Sequence, residues 1–143
     1  MESNEPQLTG LTTSFHTQSF SEVNPEQKST HSAWETPDPL YWTKHGYVVV
    51  RTDERGTGQS PGFLDTMSRG TSEAFFDVVE WASDQKWSSG KVGLLGISYY
   101  AGSQWRVAAR RPKGLAAIVP WEGIREMKGC TDGQGCPTII AIA

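Results

Sequence analysis

The sequence predicts an α/β fold in which short parallel strands alternate with amphipathic helices. Three observations carry this. The apolar runs Tyr47–Thr52, Val92–Ile97 and Leu115–Val119 read as strands. Helical patterns at Thr71–Gln85 and Tyr99–Arg110 separate them. Gly, Pro or Ser punctuates each junction. Strands and helices in alternation mean parallel strands joined by right-handed crossovers.

In chain order, residues 1–33 come first and are polar. Leu8, Leu11, Phe15, Phe20 and Val23 follow no steady period, so this leader is expected to be disordered. A weak strand over Leu8–Phe15 is the alternative. Order is expected to begin near Thr36. Asp38 is placed to cap a short helix, Leu40–His45, with Pro39 at its first position and Gly46 just past its end. The strand Tyr47–Thr52 is β-branched and nearly continuous, the pattern of a strand buried on both faces. A glycine-rich loop follows, Asp53–Gly62, expected to be fixed by an Asp53–Arg55 pair. In the helix Thr71–Gln85, Phe75, Val78, Val79 and Ala82 form the core-facing stripe, widened by Phe76 and Trp81. The helix after Ser98 carries Ala101, Gly102, Trp105, Ala108 and Ala109, which suit packing against a sheet. It is expected to stop before Pro112.

The chain has 143 residues, enough for one small domain. A net charge of -3 argues against a nucleic-acid partner. No apolar run approaches the ~20 residues that cross a membrane. The N-terminus shows no signal-peptide pattern, so the default localisation is cytoplasmic. Cys130 and Cys136 are expected to be reduced thiols, and no cofactor or metal site is expected. Three strands would leave two sheet edges open, which invites self-association.

The chemistry concentrates at Gly96-Ile97-Ser98-Tyr99-Tyr100, where a strand turns sharply into a helix with a serine at the turn. This is the context of a nucleophile elbow, although Tyr100 stands where the usual G-x-S-x-G pattern has glycine. In parallel sheets, ligands bind at the carboxyl ends of strands. The Asp53–Gly62 loop, Ser98 and the Trp121-Glu122-Gly123 loop should converge there. A nucleotide-binding module is disfavoured: Gly56-x-Gly58 follows a strand, but no helix starts there to receive a phosphate.

The residues Pro37-Asp38-Pro39-x-Tyr41-Trp42, the run Gly46 to Gly62 with its Asp53-x-Arg55-Gly56-x-Gly58-x-Ser60-x-Gly62, and Gly96-Ile97-Ser98-Tyr99-Tyr100-Ala101 stand together with Gln104-Trp105 and Pro120-Trp121-Glu122-Gly123. In these the sequence resembles the α/β-hydrolases of the cocaine-esterase and X-Pro dipeptidyl-peptidase (CocE/NonD-like) group. That group also includes α-amino-acid ester hydrolases. The resemblance covers 37–123, a little over half of the chain. It implies a partial α/β-hydrolase fold and a serine hydrolase of esters, amides or peptides. Ser98 would be the nucleophile and the Tyr99 backbone N–H one oxyanion donor. Many members have glycine at the place of Ala101.

Members of the group are several times longer, and their triad runs serine, acid, histidine. No histidine follows Ser98, and Asp132 is the only later aspartate. The second oxyanion donor, a tyrosine in an Arg-x-Pro-Tyr segment, has no counterpart here. The sequence therefore divides into a polar leader 1–33, a partial hydrolase core 34–123 and an irregular tail 124–143 outside the resemblance. The chain reads as a fragment, inactive by itself. The alternative is a non-catalytic interaction fragment.

Overall fold

The structure is a computed structural model that describes residues 24–123 and the backbone of 138–142. The expected strand Leu8–Phe15, Asp132 and both cysteines lie outside these residues.

The described chain opens with a 3-10 turn, Pro25–Gln27, capped by the Asn24 side chain. This turn falls in the leader 1–33, which was expected to be mostly disordered. Ser29 and Ser32 each donate a 2.6 Å hydrogen bond to Asp38 Oδ2. The other carboxylate oxygen, Oδ1, accepts from Tyr41 N at 2.9 Å and caps α1, Pro39–Lys44. One aspartate therefore starts the helix and fastens the segment before it. Such a cap contributes about 1 kcal/mol. Gly46 follows with φ +85, the left-handed conformation that ends a helix without a Cβ penalty.

Strand β1 spans Val49–Asp53, α2 spans Arg69–Ser83, β2 spans Val92–Ile97, α3 spans Tyr99–Ala108 and β3 spans Leu115–Trp121. The Ser68 side chain caps α2 by accepting from Thr71 N at 3.1 Å, so this helix begins at Arg69, two residues before the expected start at Thr71. A further strand, β4 at Thr138–Ile142, lies in the segment read as irregular. Its Thr-Ile-Ile-Ala-Ile sequence is rich in β-branched residues, which favour a pleated surface.

The sheet order is β1-β4-β2-β3. Strands β2 and β3 pair in parallel, while β4 runs antiparallel to both β1 and β2. The three expected strands therefore run in one direction, but β1 and β2 are not neighbours. Their carboxyl ends still share one edge of the sheet.

The core is Phe75, Val79 and Ala82 from α2, Val92 and Leu94 from β2 and Val107 from α3. Phe76 and Val78 pack against it half-buried. Trp81 is 52% exposed, set edge-on to Trp87 on the surface. Trp105 is exposed too, one residue past buried Gln104. A 100° step per residue puts each tryptophan beyond the edge of the stripe. Strand β1 is half-buried rather than enclosed on both faces.

Candidate active site

Ser98 is the single residue between the end of β2 and the start of α3. Its backbone sits at φ 57, ψ -114. A non-glycine residue held at positive φ costs on the order of 1–3 kcal/mol and persists only where its surroundings fix it. Those surroundings are specific. Ser98 N–H donates to Trp121 O at 2.9 Å, which ties the turn to the end of β3. Ser98 O accepts from Ala101 N at 3.1 Å and Gly102 N at 2.9 Å, which starts α3. A Cβ at Gly96 would collide with the Cβ of Tyr100, so glycine there lets the helix return close over its strand.

The Ser98 hydroxyl does not cap the helix, and the residue is exposed. This fits an elbow that presents its side chain outward. The Tyr99 amide is the first N–H of α3, at the positive end of the helix dipole.

The three features expected at the carboxyl edge do meet. Trp121 reaches Ser98 through the backbone bond already described. From the loop after β1, the Glu54 carboxylate accepts from the Tyr99 hydroxyl, whose oxygen lies 3.0 and 2.8 Å from the two carboxylate oxygens. Two further segments join them. Ile97 N donates to Glu35 O at 3.2 Å, and Met67 N donates to the Tyr99 hydroxyl at 3.4 Å. The role of Glu54 was not read from the sequence. The glutamate sits inside a glycine-rich loop motif that drew attention to its neighbours, and a buried polar contact 45 residues away leaves no local pattern.

The Asp53–Arg55 pair does not form. The Asp53 carboxylate turns into its own loop and accepts from Gln59 N at 3.0 Å. Ser60 Oγ donates to Asp53 O at 2.8 Å. The loop's amides are spent internally: Gly56 N on Ser60 O, Thr57 N on Glu54 O and Ser60 N on Thr57 O. Donors already paired cannot cradle a phosphate, and the next helix begins only at Arg69.

Of the histidines, His45 ends α1 ahead of β1, with its Nδ1 2.7 Å from Tyr41 O. Because β1 and β2 run the same way, His45 lies toward the edge opposite Ser98. His31 is held by its backbone, its carbonyl accepting from Arg51 at 2.8 Å. Neither described histidine makes a hydrogen bond with the Ser98 hydroxyl. The described residues hold no cluster of three metal-ligating side chains. No helix among them is long and apolar enough to cross a membrane.

Ala101 is fully buried, and Gly123 accommodates its methyl group. A Cβ at Gly123 would strike the Cβ of Ala101. The Ala101 methyl is thus absorbed by a glycine opposite.

Comparisons with known proteins agree with this geometry. The family model for X-Pro dipeptidyl-peptidase (S15 family) matches residues 11–140. That span passes Gly123 and exceeds the motif-bearing stretch in both directions. Cocaine esterase from Rhodococcus sp. (strain MB1 Bresler) is 35% identical over 99 residues, covering 68% of this chain and 17% of that protein. A putative Xaa-Pro dipeptidyl-peptidase from Streptomyces avermitilis is 27% identical over 112 residues, with 68% and 17% covered. Among solved structures, a CocE/NonD family hydrolase from Staphylococcus aureus superposes with a TM-score of 0.62 at 34% identity. It covers 73% of this chain and 20% of that one. This chain thus spans a fifth or less of the length of these relatives. With the family model matched over most of its length, and an elbow turn between β2 and α3, the chain belongs to the X-Pro dipeptidyl-peptidase (S15) family of hydrolases.

Proposed function

We propose that Ser98 is the nucleophile of a serine acyl hydrolase acting on esters or amides, peptide bonds included. The observation that supports this best is the Ser98 backbone: a strained, exposed serine fixed between a strand and a helix by bonds to both. In the acylation step the Ser98 oxygen bonds to the substrate carbonyl carbon, and the hydroxyl proton passes to a general base. The carbonyl oxygen gains negative charge and receives the Tyr99 N–H. The bond to the leaving alcohol or amine then breaks, and the leaving group takes up the proton. Water repeats the cycle on the acyl-serine.

Among the described residues no base reaches Ser98, so this chain alone is not expected to turn over substrate. Losing triad partners costs roughly 10⁴ to 10⁶ in rate. A non-catalytic interaction fragment is the second reading, favoured by that one observation.

The test supplies the base from outside. The chain is treated with a fluorophosphonate, with and without imidazole, and the adduct is mapped by peptide mass spectrometry. Without imidazole, no adduct above background is expected. With imidazole, Ser98 attacks phosphorus, fluoride leaves and imidazole takes the proton. An adduct at Ser98 that is absent in Ser98→Ala supports the nucleophile. Reaction spread over other serines, or none above Ser98→Ala, contradicts it.

A further inference from the structure

We propose that Glu54 is a positioning residue of the Ser98 turn: its buried carboxylate anchors the Tyr99 ring and so fixes the peptide that joins Ser98 to Tyr99. The functional weight of this rests on Ser98 being the nucleophile, because that peptide carries the Tyr99 N–H.

The contact spans the sheet edge. Glu54 follows β1 and Tyr99 opens α3, and the hydroxyl proton of Tyr99 is shared between the two carboxylate oxygens. Met67 N bonds the same phenol oxygen from a third segment. The ring is therefore held from two sides, and its backbone has little freedom to rotate against Ser98.

Glu54 is 2% exposed and makes no ion pair among the described residues. Glu54 shares the lining of a small cavity with Thr71, Ser72 and Phe75 from α2, Tyr99, Ser103 and Arg106 from α3, and Met67 from the loop. Arg106 is the only cation in this lining, and its side chain stays exposed rather than pairing with Glu54. The cavity they leave, about 10 Å³, has room for no more than one water. Burial pushes the Glu54 carboxyl above its ordinary range, and hydrogen bonds from Tyr99 and Thr71 offset part of that push. An apolar side chain would fill this place at a lower desolvation cost. It could not hold a phenol.

The test is an NMR measurement on the labelled chain, following the Tyr99 amide and the Tyr99 ring against pH. Wild type, Glu54→Gln and Ser98→Ala are compared. In wild type both Tyr99 signals should titrate together, with a midpoint above the ordinary glutamate value of 4.5. In Glu54→Gln the titration should vanish. At neutral pH the Tyr99 amide should also shift in this variant while the core amides of Val92 and Leu94 hold still. In Ser98→Ala the titration should persist, so the anchor is tested even if Ser98 is not the nucleophile. A purely structural glutamate would lower the unfolding temperature and leave the Tyr99 amide unmoved by pH. A Tyr99 amide that does not titrate, or titrates equally in Glu54→Gln, overturns the proposal.

Discussion

The side-chain amide of Gln104 takes both backbone groups of Val119. Its Oε1 accepts from Val119 N at 3.0 Å and its Nε2 donates to Val119 O at 3.5 Å. Gln104 is 1% exposed, so α3 is bolted to β3 beside the Ser98 turn. Replacing it with leucine removes both partners from the N–H and C=O of Val119, which lies on the edge strand of the sheet. Gln104→Leu should lose about 1–3 kcal/mol of stability in urea unfolding. A change within error would mean that water satisfies Val119.

Ala101 and Gly123 form a second coupled pair. Gly123→Ala should destabilise by about 1–3 kcal/mol, since two methyl groups would claim one space. Adding Ala101→Gly should recover only part of that loss, because the new Cβ still meets the Ala101 carbonyl carbon at 2.8 Å and Gly102 N at 3.0 Å. Simple additivity in the double-mutant cycle would show that the two sites do not touch.

The elements with strong local signals were legible in the sequence. Asp38, Pro39 and Gly46 marked both ends of α1, and β2 falls where its apolar run does. The turn at Ser98 was legible because a strand and a helix abut there with one residue between. What escaped was set by contacts that local propensity does not encode. The Asp53 carboxylate chose a loop amide over Arg55, and Glu54 is defined by Tyr99 on another helix. Strand β4 was passed over because five β-branched and small residues follow a glycine-rich stretch, and only its pairing with β1 and β2 gives it a place.

Acid should loosen the segment before α1. Burial acts most strongly on the Asp38 carboxyl and would raise its pKa. Hydrogen bonds from Ser29, Ser32 and the Tyr41 and Leu40 amides together outweigh it and hold the pKa below the usual 3.8. A depressed carboxyl stabilises the fold above its unfolded pKa, and that stability is lost as pH falls through the folded value. Glu54 has the opposite sign: its raised pKa favours the fold at low pH and weakens it as pH rises past 4.5. Wild type should therefore exceed Asp38→Asn in unfolding midpoint at pH 6, with the gap closing as pH falls below 3.8. A gap independent of pH would remove Asp38 as the cause.

Strain at Ser98 is measurable without activity. Glycine occupies φ 57 without a Cβ penalty, whereas alanine retains it. Ser98→Gly should raise stability by roughly 1 kcal/mol over Ser98→Ala, less the entropy glycine loses on folding. Glycine less stable than alanine would mean that the turn is relaxed.

The most direct test of the central claim is covalent labelling at Ser98. With no base in reach among the described residues, the hydroxyl keeps its proton at neutral pH, and the chain should take up no fluorophosphonate above background. Added imidazole should produce one adduct, on Ser98, absent in Ser98→Ala. Prompt labelling of Ser98 without imidazole would contradict the account, because a histidine placed away from the turn, or one from a second copy of the chain, would then be reaching the serine.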